Sequence, residues 1–236
     1  MQIDVQHRPA YALATVMLDA GEACIAEGGA MVSKDTHVTI ATSATSPDPR
    51  PQRYGCLPWF FRSFGDLFRS RAVFHNKFEA ASYAGAVTFA PKAPGDIVVQ
   101  YLDESTGLVL QSTAFLCSAS TVGLDNEWGG TEAFLRGDGM LMVRANGEGL
   151  MAFSSFGYIR EIQVDQAWEV DAGHVVAFED SLSFEVRRHR GGLLQRWFGG
   201  EDWVVEFHGQ GRVWLQSHNP KAYGRIIGPM LPKRRR

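Results

Sequence analysis

The chain has 236 residues, 45% hydrophobic and 21% charged, a balance that excludes a disordered polymer and supplies core for one large domain or two small ones. A net charge of −3 and an isoelectric point near 6.2 argue against a body built to grip nucleic acid. No apolar run reaches the ~20 residues of a membrane-spanning helix, and the start Met1 to Arg8 lacks the apolar core of a secretory signal, so a cytoplasmic location is expected.

In chain order, Tyr11 to Leu18, Ala23 to Ile25 and Ala30 to Ile40 read as strands, with a turn at Asp19 to Glu22. Residues 44–55 carry three prolines and no periodicity and read as loop. Leu57 to Arg69 is the most aromatic stretch, and Phe60, Phe64, Leu67 and Phe68 have the spacing of a short helix. From 71 to 190 the alternation is again that of strands, broken by glycine turns about every 8–12 residues, as in sandwiches and barrels. Residues 187–200 read as a long hairpin, Trp203 to Ser217 as a last strand pair, and Lys233 to Arg236 as a basic tail.

Four segments share one pattern, a glycine followed by apolar residues at its second and fourth successors. They begin at Gly29, Gly85, Gly149 and Gly211, at a nearly constant spacing. In a strand those two side chains share a face, and glycine at the head suits a bend or a close approach. Laying Leu110 on Val170 also brings the stretch Leu110 to Leu124 onto Val170 to Phe184, with apolar positions coinciding. The expected fold is all-β, with two similar antiparallel β-sandwich or double-stranded β-helix halves from an internal duplication, packed as one unit. The halves are residues 1–125 and 126–228, followed by the basic tail 229–236.

The search for chemistry finds little. No Walker A loop and no Gly-x-Ser-x-Gly elbow occur, and the seven histidines show no metal-binding spacing, so neither catalytic residues nor a cofactor nor a metal is expected. Asp171 and His174 are the most site-like polar pair. A carboxylate near an imidazole can orient a base, but a spacing of three across Ala172-Gly173 fits a turn cap better, and both residues are read as structural. The strand-head glycines Gly29, Gly85, Gly149 and Gly211 are read the same way. Surface or partner contacts are expected at Trp59, Phe60, Trp197 and Phe198, which mix with arginine, and at Lys233, Arg234, Arg235 and Arg236. Cys24, Cys56 and Cys117 are odd in number, without Cys-x-x-Cys spacing, and are expected as free thiols of a reducing compartment.

Several segments together carry a family resemblance: Gly21-Glu22 with Ala26 to Ser33, Gly85 to Phe89 with Pro94-Gly95-Asp96, Val170 to Phe178, and Gly200-Glu201 with Phe207 to Ser217. In this order they resemble the mitochondrial-biogenesis family named for altered inheritance of mitochondria, which has many bacterial members of unassigned function. The resemblance implies a duplicated fold, each half like a subunit of the tryptophan RNA-binding attenuation protein, and a trimer whose halves form a ring. It brings no catalytic residues. The function expected is that of a non-enzymatic oligomeric scaffold or binding protein, with further copies of itself as partner. An unidentified protein or an anionic membrane surface comes next, and nucleic acid or an unrecognised enzymatic role ranks below them.

Overall fold

The computed structural model describes residues 1–44, 74–125, 141–188 and 203–231. They form nineteen strands: β1 (Gln2–Gln6), β2 (Leu13–Leu18), β3 (Ala23–Glu27), β4 (Met31–Lys34), β5 (Thr39–Ala44), β6 (Phe74–Glu79), β7 (Gly85–Phe89), β8 (Ile97–Leu102), β9 (Leu108–Gln111), β10 (Phe115–Ala119), β11 (Val122–Asp125), β12 (Met142–Gly147), β13 (Gly149–Ser154), β14 (Ile159–Val164), β15 (Ala167–Asp171), β16 (Val175–Glu179), β17 (Ser183–Arg188), β18 (Trp203–His208) and β19 (Gly211–Gln216). One helix, α1 (Pro220–Ile227), follows. The fold is all-β, as the alternation requires.

Strand pairing repeats three times. In the first unit β2 and β4 flank β7, while β3 and β5 flank β6. In the second, β8 and β10 flank β13, while β9 and β11 flank β12. In the third, β14 and β16 flank β19, while β15 and β17 flank β18. The sequence reading expects two halves meeting at 125/126, but that point falls between β11 and β12, which pair with each other.

Each unit contributes three strands to each of two sheets, and neighbouring units share a sheet. β3 pairs with β10, and β9 with β16, which closes two six-stranded sheets of order β5-β6-β3-β10-β13-β8 and β11-β12-β9-β16-β19-β14. The chain ends leave two smaller sheets, β1-β2-β7-β4 and β15-β18-β17. Three apolar clusters fill the spaces between successive sheets. Burial follows from this layering. The inner strands β9 and β16 are buried at nearly every position and read as continuous apolar runs, because both faces are covered. The outer strands β1 and β17 alternate between more and less exposed residues, because one face meets solvent.

Three of the four glycines hold equivalent places, at the heads of β7, β13 and β19. A Cβ on Gly85 would lie 2.7 Å from Val38 Cγ2, one on Gly149 2.7 Å from Ala119 Cβ, and one on Gly211 2.9 Å from Leu182 Cγ. The buried residues Val38, Val122 and Leu182 stand at one repeat position beside these glycines, so a side chain there would displace core. Gly29 differs. It precedes β4, has open space where a Cβ would go, and serves by its left-handed backbone, φ +87°.

Candidate functional site

One strand of each unit, β4, β10 and β16 in turn, carries a bulge near its start. The register of β10 on β13 slips between Phe115 and Cys117, that of β16 on β19 between Val175 and Ala177, and that of β4 on β7 between Met31 and Ser33. The skipped residues are Leu116, Val176 and Val32. Leu116 and Val176 are 0% exposed. Leu116 sits in the apolar cluster that contains Ala26 and Phe89 of the preceding unit, and Val176 in the one that contains Leu110 and Phe153. Each is a knob in its neighbour's socket. Val32, at the same place in the first unit, is 56% exposed, since no described unit covers it.

The third unit presents the matching socket. Val170 and Leu215, equivalent to Leu110 and Phe153, line a pocket of about 340 Å³ together with Tyr158, Arg160, Asp171 and His174. At the two internal seams this space holds the next unit's knob. Among the described residues β15 pairs only with β18, and β4 only with β7, so both edges keep unspent backbone donors and acceptors.

Asp171 and His174 build the pocket wall through backbone hydrogen bonds. Asp171 Oδ1 accepts from Gly173 N at 2.8 Å and caps the short 3-10 turn Ala172–His174. His174 Nδ1 lies 2.7 Å from the carbonyl oxygen of Gln216, which can only accept, so Nδ1 carries a proton. Gln216 completes the wall: Nε2 donates to Gly173 O at 3.0 Å, and Oε1 accepts from Phe156 N at 3.0 Å. Gly173 is tightly enclosed, since a Cβ there would lie 2.0 Å from Asn219 Nδ2. Residue type marks this pair in the sequence, but offers no signal for Gln216, whose role comes from its hydrogen bonds, or for Val32, whose role comes from its repeat position.

Trp59, Phe60, Trp197, Phe198 and Lys233 to Arg236 lie outside the described residues, as does Cys56. Cys24 and Cys117 are free and buried on adjoining strands of the first core. Burial pushes the Cys24 thiol up to about 12 and raises that of Cys117 as well, which makes both poor nucleophiles. His75, buried with its ring 5.1 Å from that of Phe115, has its pKa lowered by desolvation. Burial raises Glu27, against the opposing pull of Lys92, whose Nζ stands at 2.6 Å. Among the described residues no group of three or more His, Cys, Asp or Glu side chains converges as metal ligands, and no helix is long and apolar enough to cross a membrane.

A family model described as "Mitochondrial biogenesis AIM24" matches residues 3–218. An uncharacterised protein of Streptococcus pyogenes serotype M6 is 24% identical over 236 residues, covering 98% of this chain and 92% of its own. A crystal structure of a Streptococcus pyogenes protein superposes with a TM-score of 0.75 at 23% identity, covering 98% of this chain and 99% of the other, and shows the same fold.

Proposed function

The chain belongs to the Mitochondrial biogenesis AIM24 family, and from that premise we propose that it is a non-enzymatic scaffold which assembles head to tail, β4 of one copy joining β15 of the next. One observation carries this reading: the two small sheets are complementary pieces of the six-stranded sheets inside the chain. Joined through β15 and β4 they give the order β17-β18-β15-β4-β7-β2, with β1 added outside, which repeats β5-β6-β3-β10-β13-β8 strand for strand.

The internal seams set the register. Cys117 faces Ala26 and Ser118 faces Ile25 at the first, Ala177 faces Leu110 and Phe178 faces Val109 at the second. Carried over, Ser33 faces Val170, and Lys34 faces Glu169, a pair of opposite charge. Val32 enters the pocket beside Val170 and Leu215. The joint buries an exposed apolar side chain, fills a cavity and satisfies two open edges. It is a heterologous contact, which closes into a ring or runs on as a filament. The closed form proposed is the trimer that the family resemblance implies, in which three chains contribute nine units.

Val32→Asp tests the reading. The residue is exposed in the single chain, so folding is unaffected, while a carboxylate is driven into an apolar socket on assembly. Sedimentation velocity is expected to show an oligomer for the wild type and the 26.1 kDa chain for the variant. A wild type that sediments as a monomer, or an oligomer indifferent to Val32→Asp, contradicts it.

A further inference from the structure

The charge of this chain is segregated. No acidic residue occurs after Glu206, while residues 217–236 hold Lys221, Arg225, Lys233, Arg234, Arg235 and Arg236. Subtracting those six positive charges from the total of −3 leaves residues 1–216 at −9. Charge of one sign collected at one end of an oppositely charged body marks a surface for a partner of the body's own sign.

The same segment carries the chain's one described α-helix. Asn219 caps it, with Oδ1 accepting from Lys221 N at 2.9 Å and Ala222 N at 3.1 Å, and Pro220 occupies the first turn. Lys221 and Arg225 are four apart and share one face, while Tyr223, Ile226 and Ile227 take the opposite one. Tyr223 leans on Phe156 of the body, ring centroids 5.1 Å apart. Ile226, Met230 and Leu231 do not pack inward: they are 63, 75 and 62% exposed, and no residue of the helix is buried. Among the described residues, large apolar side chains lie in solvent beside cations, directly ahead of four more cations in sequence.

We infer that residues 220–231 form a foot that docks the protein on an anionic lipid bilayer, with Ile226, Met230 and Leu231 entering the interface, Lys221 and Arg225 meeting the headgroups, and the four cations next in sequence adding to the attraction. The combination selects this occupant. An amphipathic helix with cations on its polar face lies in the plane of a bilayer with its apolar face submerged. Single-stranded nucleic acid would be held by cations together with stacking aromatics and would leave Ile226, Met230 and Leu231 without a role. The two components reinforce each other, since a short apolar face or a basic cluster alone gives only weak attachment. The inference is independent of self-assembly, because none of these residues lies on β4, on β15 or in the pocket between sheets.

The test is flotation of the full chain with phosphatidylcholine vesicles, with and without phosphatidylserine, at low and high salt. Binding is expected only with the anionic lipid, weakened by salt. The triple variant Ile226→Ser, Met230→Ser, Leu231→Ser is expected to lose about tenfold or more in affinity. A chain ending at Leu231 is expected to lose roughly fivefold for each of the four charges removed. All these residues lie outside the three cores, so folding is retained, and an unchanged thermal melt verifies it. Equal binding to both kinds of vesicle, or affinity unchanged in either variant, overturns the inference. So does binding to single-stranded RNA that is as tight as to vesicles and insensitive to the serine substitutions, which would make the segment a general polyanion site.

Discussion

The internal seams and the chain ends are built from the same repeat positions but meet different fates. At the seams Leu116 and Val176 are buried in a neighbour's core, and β3 and β9 each gain a second partner. At the ends Val32 stands in solvent, and β4 and β15 each pair on one side only among the described residues. A linear array of repeats has this property: every interior unit is satisfied twice, and terminal units must be capped or joined. Here β1 caps the outer edge of β2, but no described element covers the edges of β4 and β15.

The largest effect expected from breaking this comparison is at a seam. Leu116→Ala removes a fully buried knob and should cost about 2–5 kcal/mol, whereas Val32→Ala should cost less than about 0.5 kcal/mol. Both belong in a Glu169→Lys background, chosen to prevent the proposed assembly, with urea unfolding as the measure. Equal costs at the two positions would deny that they differ in environment.

The glycines come next. Gly149→Ala meets a backbone of φ +145° and the Cβ of Ala119 at 2.7 Å, so a loss of roughly 2–4 kcal/mol is expected. Gly29→Ala, with a left-handed backbone but open space, should lose only about 1–2 kcal/mol. A reversed order, read from thermal melts, would mean that conformation rather than packing selects glycine at the strand heads.

A smaller effect is pH-dependent and belongs to the first core. His75 has its folded pKa lowered by burial, so below the unfolded value of 6.5 the unfolded chain binds the extra proton. Its contribution is fully present above pH 6.5 and is lost as pH falls toward and through the depressed folded value, by up to about 1.4 kcal/mol per pH unit. The acid sensitivity just below pH 6.5 should flatten in His75→Gln. An unchanged slope would assign it to the other histidines. A small change is also expected for Asp171→Ala, about 1 kcal/mol for the lost turn cap, seen as a small drop in melting temperature.

Much of this is legible in the sequence, for identifiable reasons. Gly85, Gly149 and Gly211 mark equivalent strands because the same steric conflict recurs beside each. The alignment that lays Leu110 on Val170 superposes the second and third units, β9 on β15 and β10 on β16. No single offset does the same for the first unit. The offset that brings Ser33 of β4 onto Cys117 of β10 is much larger than the one that brings Gly85 of β7 onto Gly149 of β13. The cause is unequal length between the fourth and fifth strands of a unit. β5 ends at Ala44 and β6 begins at Phe74, a far longer connection than Asp125 to Met142 in the second unit or Arg188 to Trp203 in the third. Local pattern alone groups Gly29 with the other glycines, though it belongs to the turn before β4. Helix α1 is short, and Pro220 and Gly224 mask its periodicity. The edge and its socket are illegible for another reason. Val32 looks like any strand valine until Leu116 and Val176 show what its position does.

Charge exchange across the proposed joint tests the central claim most directly. Within one chain Glu169 pairs with Arg187 at 2.7 Å and Lys34 Nζ donates to Val38 O at 2.7 Å, while the register of the proposed joint sets Lys34 and Glu169 opposite each other between copies. Sedimentation of Lys34→Glu, Glu169→Lys and the double variant at equal concentration should show both single variants dissociated and the double variant reassembled to the wild-type size. A double variant as monomeric as the single ones, or single variants as oligomeric as the wild type, would contradict head-to-tail assembly through β4 and β15.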